Sequence, residues 1–126
     1  MFNTKKQIEY WRDGALDDLT TAKILIQSRR FLHGLFFCHL VIEKALKANV
    51  VNISNDFAPR SHNLFYLSEM ANLEIDDDVQ VFMGILMKFQ LQGRYPDYNP
   101  AIPDNEKLNE YLFKTEELLQ WLLKKL

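Results

Sequence analysis

The sequence predicts an all-α protein, an antiparallel up-and-down bundle of four principal helices with one short extra helix. Four glycines and four prolines in 126 residues are about half the usual share, which argues against a many-stranded β protein. Apolar residues recur instead at spacings of three and four along several long segments. We expect residues 1–126 to form a single domain, because two smaller pieces would have poor cores.

Charge and cysteine content exclude several classes of protein. Fifteen Lys and Arg against 17 Asp and Glu give a net charge of −2, so any nucleic-acid binding needs a local basic site. The single cysteine, Cys38, excludes an intramolecular disulfide and a Cys-rich zinc site. There is no apolar segment of signal-peptide length, and no apolar run approaches the roughly 18 residues of a membrane span. We therefore expect a soluble cytoplasmic protein without membrane attachment.

The first helix is predicted over residues 3–28. Thr4 followed by Gln7 is typical of a capping box, in which each side chain satisfies a free backbone donor. A single apolar stripe follows, formed by Ile8, Trp11, Ala15, Leu19, Ala22 and Ile26. The charged residues of the segment fall mainly off that stripe; they are Arg12, Asp13, Asp17, Asp18 and Lys23.

The second helix, predicted over residues 31–53, is apolar on two sides. One stripe is formed by Leu35, Ile42, Leu46, Val50 and Ile53, and the opposite side carries Phe37, Val41, Ala45 and Ala48. A helix that is apolar nearly all round is buried all round. Either a second subunit covers one side or the chain itself wraps the helix, and the sequence does not decide between the two.

Shorter elements complete the predicted bundle. Residues 52–59 indicate a loop, and Ser61 is a plausible N-cap for a short helix over 62–71 with Leu64, Leu67 and Met70 or Ala71 inward. The Asp76–Asp78 run suits the start of a fourth helix ending near residue 91, because the helix dipole favours negative charge there. That interpretation is preferred to a metal site.

The last helix is predicted to follow a proline-rich loop over residues 93–103. Asp104 is its expected N-cap. Its buried stripe is predicted to comprise Leu108, Tyr111, Leu112, Leu119, Leu122 and Leu126.

Three polar residues interrupt the apolar second helix. His39, Glu43 and Lys47 follow one another at intervals of four and form a polar track. In the first interpretation, His39 is a core histidine with one hydrogen-bond partner, and Glu43 and Lys47 form a surface ion pair. A proton-transfer or metal pair is the second, although the sequence offers no clear third or fourth metal ligand. We therefore predict no metal site and no cofactor.

Two further places could bind an anion. His62 starts the predicted short helix, and Arg60 near it adds a bidentate phosphate donor. The preferred interpretation is that His62 packs against the loop and fixes its path. In the proline-rich loop, Arg94 is suited to phosphate, Tyr95 and Tyr98 to stacking, and Asp97 to a ribose hydroxyl. Alternatively, Arg94 pairs with Asp97 or Glu43 and the loop is a structural corner.

Four pieces of sequence together resemble the small prokaryotic HEPN-domain proteins. They are Trp11 with Asp17-Asp18-Leu19 and Ala22, then Glu43-Lys44-Ala45-Leu46-Lys47-Ala48, then Ser61-His62-Asn63-Leu64, and finally Arg94-Tyr95-Pro96-Asp97. The resemblance implies a HEPN-like helical bundle that forms homodimers and binds nucleotide or RNA. It also implies a small nucleotidyltransferase as partner in a toxin–antitoxin-like system.

Ribonuclease members of the family carry Arg-x4–6-His motifs that meet across the dimer. In this sequence Asn99 follows Arg94 at that spacing, and there is no histidine after His62. Asn can bind a phosphate or ribose but cannot titrate. We therefore expect a binding protein without ribonuclease activity of its own. Its candidate ligand-binding residues are Arg94, Tyr95, Asp97, Tyr98, Asn99, His39, Glu43 and Lys47. The alternatives are a metal-independent endoribonuclease using Arg94 with His39 or His62, and a purely structural interaction subunit.

Overall fold

Five α-helices make up the computed structural model, which describes residues 2–90, 97 and 100–126. They are α1 (Thr4–Gln27), α2 (Phe31–Ser54), α3 (Leu64–Met70), α4 (Asp77–Met87) and α5 (Asn105–Leu123). The prediction of an all-α bundle with four principal helices and one short helix is confirmed. No helix in these ranges is long and apolar enough to cross a membrane.

Consecutive long helices run antiparallel. The Thr4 hydroxyl donates to Asn55 Oδ1 over 3.2 Å, which joins the start of α1 to the end of α2. At the other end, Gly34 near the start of α2 lies against Ile26 near the end of α1. In the second pair of helices, the ring of Phe82 in α4 lies near the ring of Tyr111 in α5, with centroids 6.2 Å apart and the planes tilted by 42°.

Two predicted N-caps are wrong. Asn3, not Thr4, caps α1, because its side chain accepts a hydrogen bond from the backbone of Lys6 over 3.0 Å. Asn63, not Ser61, caps α3, and the Ser61 hydroxyl instead accepts from the Asn63 backbone just before the helix. In both cases an asparagine near the expected residue accepts the backbone hydrogen bonds of the first turn.

The caps of α4 and α5 are those expected, but α4 is shorter than predicted. Asp76 and Asp104 each accept a backbone hydrogen bond three residues ahead, over 2.9 Å. The helix α4 ends at Met87 rather than near residue 91, because the following amides bond to carbonyls three residues back and tighten the last turn. Phe89 remains buried beyond that end.

The helix α2 is the centre of the bundle and contacts all four other helices. Both of its apolar sides are buried within the single chain, at Val41, Ile42, Ala45, Leu46, Ala48 and Val50. The chain therefore wraps this helix itself, and the homodimer stays a prediction that burial of α2 does not require. The prediction that Ile53 and Leu126 belong to buried stripes is wrong. Both lie near the ends of their segments, where Ile53 is 51% exposed and Leu126 is 36% exposed.

Candidate functional site

A cluster of four polar side chains lies in the interior beside α2. His39, Glu43 and Lys47 lie one turn apart on α2, and His62 reaches them from the segment before α3. The three α2 side chains are buried, whereas the side chain of His62 is 45% exposed. We call these four residues the Glu43 cluster.

The carboxylate of Glu43 joins the cluster together. Its Oε2 accepts a hydrogen bond from Lys47 Nζ over 3.0 Å, and its Oε1 accepts one from His62 Nδ1 over 2.9 Å. The Glu43 and Lys47 side chains are only 4% and 7% exposed. The expected surface ion pair is therefore wrong, since the apolar helix carries both charges into the interior, where hydrogen bonds must replace their hydration.

Lys47 has a second partner on α1. Its ammonium lies 5.1 Å from the centroid of the Trp11 ring, within the range of a cation–π contact. Periodicity alone placed Trp11 only on the apolar stripe of α1. It gave no signal for this contact, which depends on how α1 and α2 face each other.

His39 is the fully buried member of the cluster. Its Nε2–H donates to the backbone carbonyl of His62 over 3.1 Å. Burial lowers the pKa of His39 to about 4, although the nearby Glu43 carboxylate opposes that shift. At neutral pH the ring is therefore uncharged, its Nδ1 is unprotonated, and no external ligand can reach it. This is the arrangement of a core histidine that anchors a loop.

His62 is the accessible member. Its Nδ1 must carry a proton to donate to the Glu43 carboxylate, so in the neutral ring Nε2 bears the lone pair. No described side chain hydrogen-bonds to Nε2. Because His39 holds the backbone and Glu43 holds the ring, the exposed imidazole has a fixed orientation.

The end of α4 lies beside the segment that carries this imidazole. The backbone N–H of Leu64, two residues after His62, donates to Met87 Sδ over 3.5 Å. Arg94, Tyr95, Tyr98 and Asn99 lie outside the described residues. Asp97 is exposed in a turn.

A second buried contact joins the helices α1 and α2. Lys44 Nζ lies 2.7 Å from Asp18 Oδ2, and Asp18 is 7% exposed. The prediction that Asp18 lies off the buried side of α1 is therefore wrong. The residue is buried because Lys44 of α2 covers its carboxylate. Gly14 of α1 lies against the same lysine, and a Cβ atom at this position would be 3.2 Å from Lys44 Cδ. Both lysines of the Glu-Lys-Ala-Leu-Lys-Ala piece thus pair with a carboxylate: Lys44 with Asp18 and Lys47 with Glu43.

Within the described ranges no group of three or more His, Cys, Asp or Glu side chains could hold a metal ion. In the Glu43 cluster, both carboxylate oxygens already accept hydrogen bonds, and His39 directs its N–H at a carbonyl.

Comparison with known proteins assigns the family. The family model of the HEPN domain matches residues 8–126. The chain belongs to the HEPN family. The resemblance drawn from the four sequence pieces is confirmed, and those pieces include Glu43, Lys47 and His62 of the cluster.

A solved structure shows the same fold. The crystal structure of TT1696 from Thermus thermophilus matches over 100% of both chains, with a TM-score of 0.76 and 21% sequence identity. At that identity the likeness extends to the HEPN fold alone. A comparison with curated proteins gives no match.

Proposed function

We propose that this HEPN protein binds a ribonucleotide phosphate, as a free nucleotide or within RNA, at the surface that carries His62. The observation that supports it most is the exposed imidazole, held at 2.9 Å by a buried carboxylate. Burying a charged pair is expensive and contributes little net stability, so such a cluster under a surface residue points to a functional site. The buried His39, Glu43 and Lys47 hold His62 and do not themselves touch the ligand.

We include in the proposed site several polar residues that the sequence analysis singled out. Arg60 is exposed two residues before His62 and adds a cation. Arg94 follows Met87 of α4 by seven positions, and its guanidinium would grip the phosphate in a bidentate manner. Tyr95 and Tyr98 would stack on a base, while Asp97 and Asn99 would bind ribose hydroxyls.

Binding measurements test this proposal directly. Fluorescence anisotropy with a labelled single-stranded RNA, and calorimetry with AMP and ATP, should detect binding. Replacing Arg94 by Ala should weaken binding by about 1.5–3 kcal/mol, because a charged hydrogen bond is lost. Lys5→Ala is the control, since it removes an exposed cation from the first turn of α1. Equal affinity in wild type and Arg94→Ala would remove Arg94 from the site, and absence of binding to any of these ligands would refute the proposal.

The HEPN family supports a partner and an assembly as well. We propose a homodimer that pairs with a small nucleotidyltransferase in a toxin–antitoxin-like system. Since one chain buries α2 on its own, the dimer rests on the family and not on an uncovered apolar helix. Sedimentation equilibrium should give the mass of two chains, and a clean monomer at high micromolar concentration would contradict the dimer. Co-expression with a small nucleotidyltransferase encoded beside this gene should give a stable complex.

A further inference from the structure

We propose that a groove between α4 and α5 is a docking site for a basic peptide segment of another protein, one with an apolar anchor residue next to Lys or Arg. The groove has a volume of about 650 Å³ and lies where the first turns of α4 face the second half of α5. Ligand sites in proteins have volumes of roughly 300–1,000 Å³. The lining residues include none of the Glu43 cluster, so this proposal does not rest on the binding of RNA.

The interior of the groove is apolar. Phe82 of α4 and Leu118 of α5 line it and are buried, so they form its floor. Trp121 and Val81 also line it, but their side chains are 37% and 65% exposed. An exposed tryptophan and an exposed aliphatic side chain next to a buried apolar floor are typical of the places where a partner's apolar side chain is anchored. The groove therefore favours a ligand with an apolar anchor.

The polar residues that line the groove are mostly acidic. Four of them carry carboxylates: Glu74, Asp76 and Asp78 around the start of α4, and Glu117 on α5. Asp76 is engaged as the N-cap of α4. The carboxylates of Glu74, Asp78 and Glu117 form no ion pair within the part of the chain that the structure describes. Three exposed carboxylates are thus available to a cationic partner.

The charge of the groove selects among possible occupants. Lys114 is the one cation among the described lining residues, and its Nζ is paired with Glu110 Oε1 over 3.1 Å. The groove therefore keeps a net negative charge, which attracts a cationic partner and disfavours an anion such as RNA. A second copy of this chain is disfavoured as well, because a twofold dimer built on this face would bring one acidic groove against the other.

The ring of Trp121 already contacts a cation of its own chain. The ammonium of Lys125, four positions later, lies 4.4 Å from the ring centroid. Aromatic rings hold ammonium and guanidinium groups by this contact, and Glu117 in the same groove adds a carboxylate. The apolar floor, the unpaired carboxylates and the Trp121 ring together fit a peptide in which Lys or Arg lies next to an apolar side chain.

The test uses purified full-length protein and a phage-displayed library of random peptides. Selection on wild type should enrich peptides that combine Lys or Arg with Leu, Phe or Trp. Fluorescence anisotropy then gives the Kd of a dye-labelled synthetic copy of an enriched peptide. Trp121→Ala should weaken binding at least about tenfold, because tryptophan is a typical hot-spot residue. Phe113→Ala is the control, since it removes an exposed aromatic ring of α5 that does not line the groove.

Opposite charges at one position test the charge complementarity. Val81 is exposed, so Val81→Lys and Val81→Glu should both fold, which circular dichroism checks. Val81→Lys should bind the peptide at least about tenfold more weakly than Val81→Glu, because it adds a cation to a site for cations. The difference between the two variants should shrink at high salt. Loss of the apolar contact alone would weaken both variants equally.

Each outcome supports or overturns the proposal. A selection that enriches no basic apolar peptides would overturn it, as would equal binding of the peptide to Val81→Lys and Val81→Glu. Displacement of the peptide by spermidine at similar concentration would assign the groove to small organic cations instead. A lower mass for Val81→Lys than for wild type in sedimentation equilibrium would assign it to a second copy of the chain, and either result would overturn the proposal. None of these results bears on the binding of RNA at the His62 surface.

Discussion

The Nδ1 atom of His62 lies 2.9 Å from Oε1 of Glu43, and this contact joins the core of the bundle to its surface. Glu43 lies in the middle of the most buried helix, whereas His62 precedes α3 and is half exposed. Since the two residues are 19 positions apart, only the folded chain brings them together. The proposed function depends on this contact.

Removing the Glu43 carboxylate should destabilise the protein strongly. Glu43→Leu leaves the Lys47 ammonium buried without its anion, and breaking such a pair costs about 3–5 kcal/mol. Urea unfolding followed by circular dichroism measures the loss. The double variant Glu43→Leu with Lys47→Leu should recover most of it, because neither charge is then left alone. A Glu43→Leu variant as stable as wild type would show that Lys47 is solvated.

Stability should fall as the pH drops below about 6.5, because of His39. Its pKa is lowered to about 4 by burial, so between these values the unfolded chain binds a proton that the folded chain does not. The contribution of uncharged His39 to the free energy of unfolding is fully present above the unfolded-state pKa of about 6.5 and is lost as the pH falls towards 4. Between pH 7.5 and pH 5, wild type should lose about 2 kcal/mol more free energy of unfolding than His39→Gln. Parallel pH curves for the two proteins would mean that His39 titrates normally.

The close approach of α1 and α2 should make Gly34 intolerant of a side chain. A Cβ at Gly34 would lie 2.5 Å from Ile26 Cγ1, and 3.3 and 3.4 Å from backbone atoms of Ile26 and Ala22. The Ile26 side chain can rotate away, but the backbone atoms of Ile26 and Ala22 cannot move as easily. Gly34→Ala should therefore destabilise the protein by about 1–3 kcal/mol. Gly84→Ala in α4 is the control: its nearest neighbour would be Phe65 Cζ at 3.9 Å, and helix propensity should raise stability by up to about 1 kcal/mol. Thermal unfolding of both variants tests the pair, and a Gly34→Ala protein as stable as Gly84→Ala would contradict the packing described.

The thiol of Cys38 should be inert in the native protein. The side chain is fully buried, and burial raises its pKa to about 11, so almost no thiolate forms near neutral pH. A thiol-reactive chromophore at pH 8 should not label the native protein within the time that it labels the unfolded chain. One equivalent should react in guanidinium, since the chain has one cysteine. Rapid labelling of one equivalent under native conditions would place Cys38 at the surface.

The fold follows from the sequence because its signals are local. Spacings of three and four predicted each long helix, and Asp76 and Asp104 mark helix starts by their own side-chain chemistry. The errors are local as well. Asparagine competes well with serine and threonine as an N-cap, so Asn3 and Asn63 replaced the expected Thr4 and Ser61.

The Glu43 cluster could be predicted only in part. The track of His39, Glu43 and Lys47 follows from spacing on one helix, but its burial does not. The partners come from other segments: Trp11 from α1 and His62 from the chain before α3. No local pattern encodes such contacts, which arise when the helices pack. Asp18 illustrates the same point, since only the facing Lys44 makes a buried carboxylate tolerable on α1.

Nitrogen-15 NMR of the imidazole side chains tests the central claim most directly. At a pH where the rings are neutral, the spectra should show His62 protonated at Nδ1 and His39 protonated at Nε2, and the Nδ1 preference of His62 should diminish in Glu43→Gln. A His62 ring that is protonated mainly at Nε2 in wild type, and unchanged by the Glu43 substitution, would contradict the account.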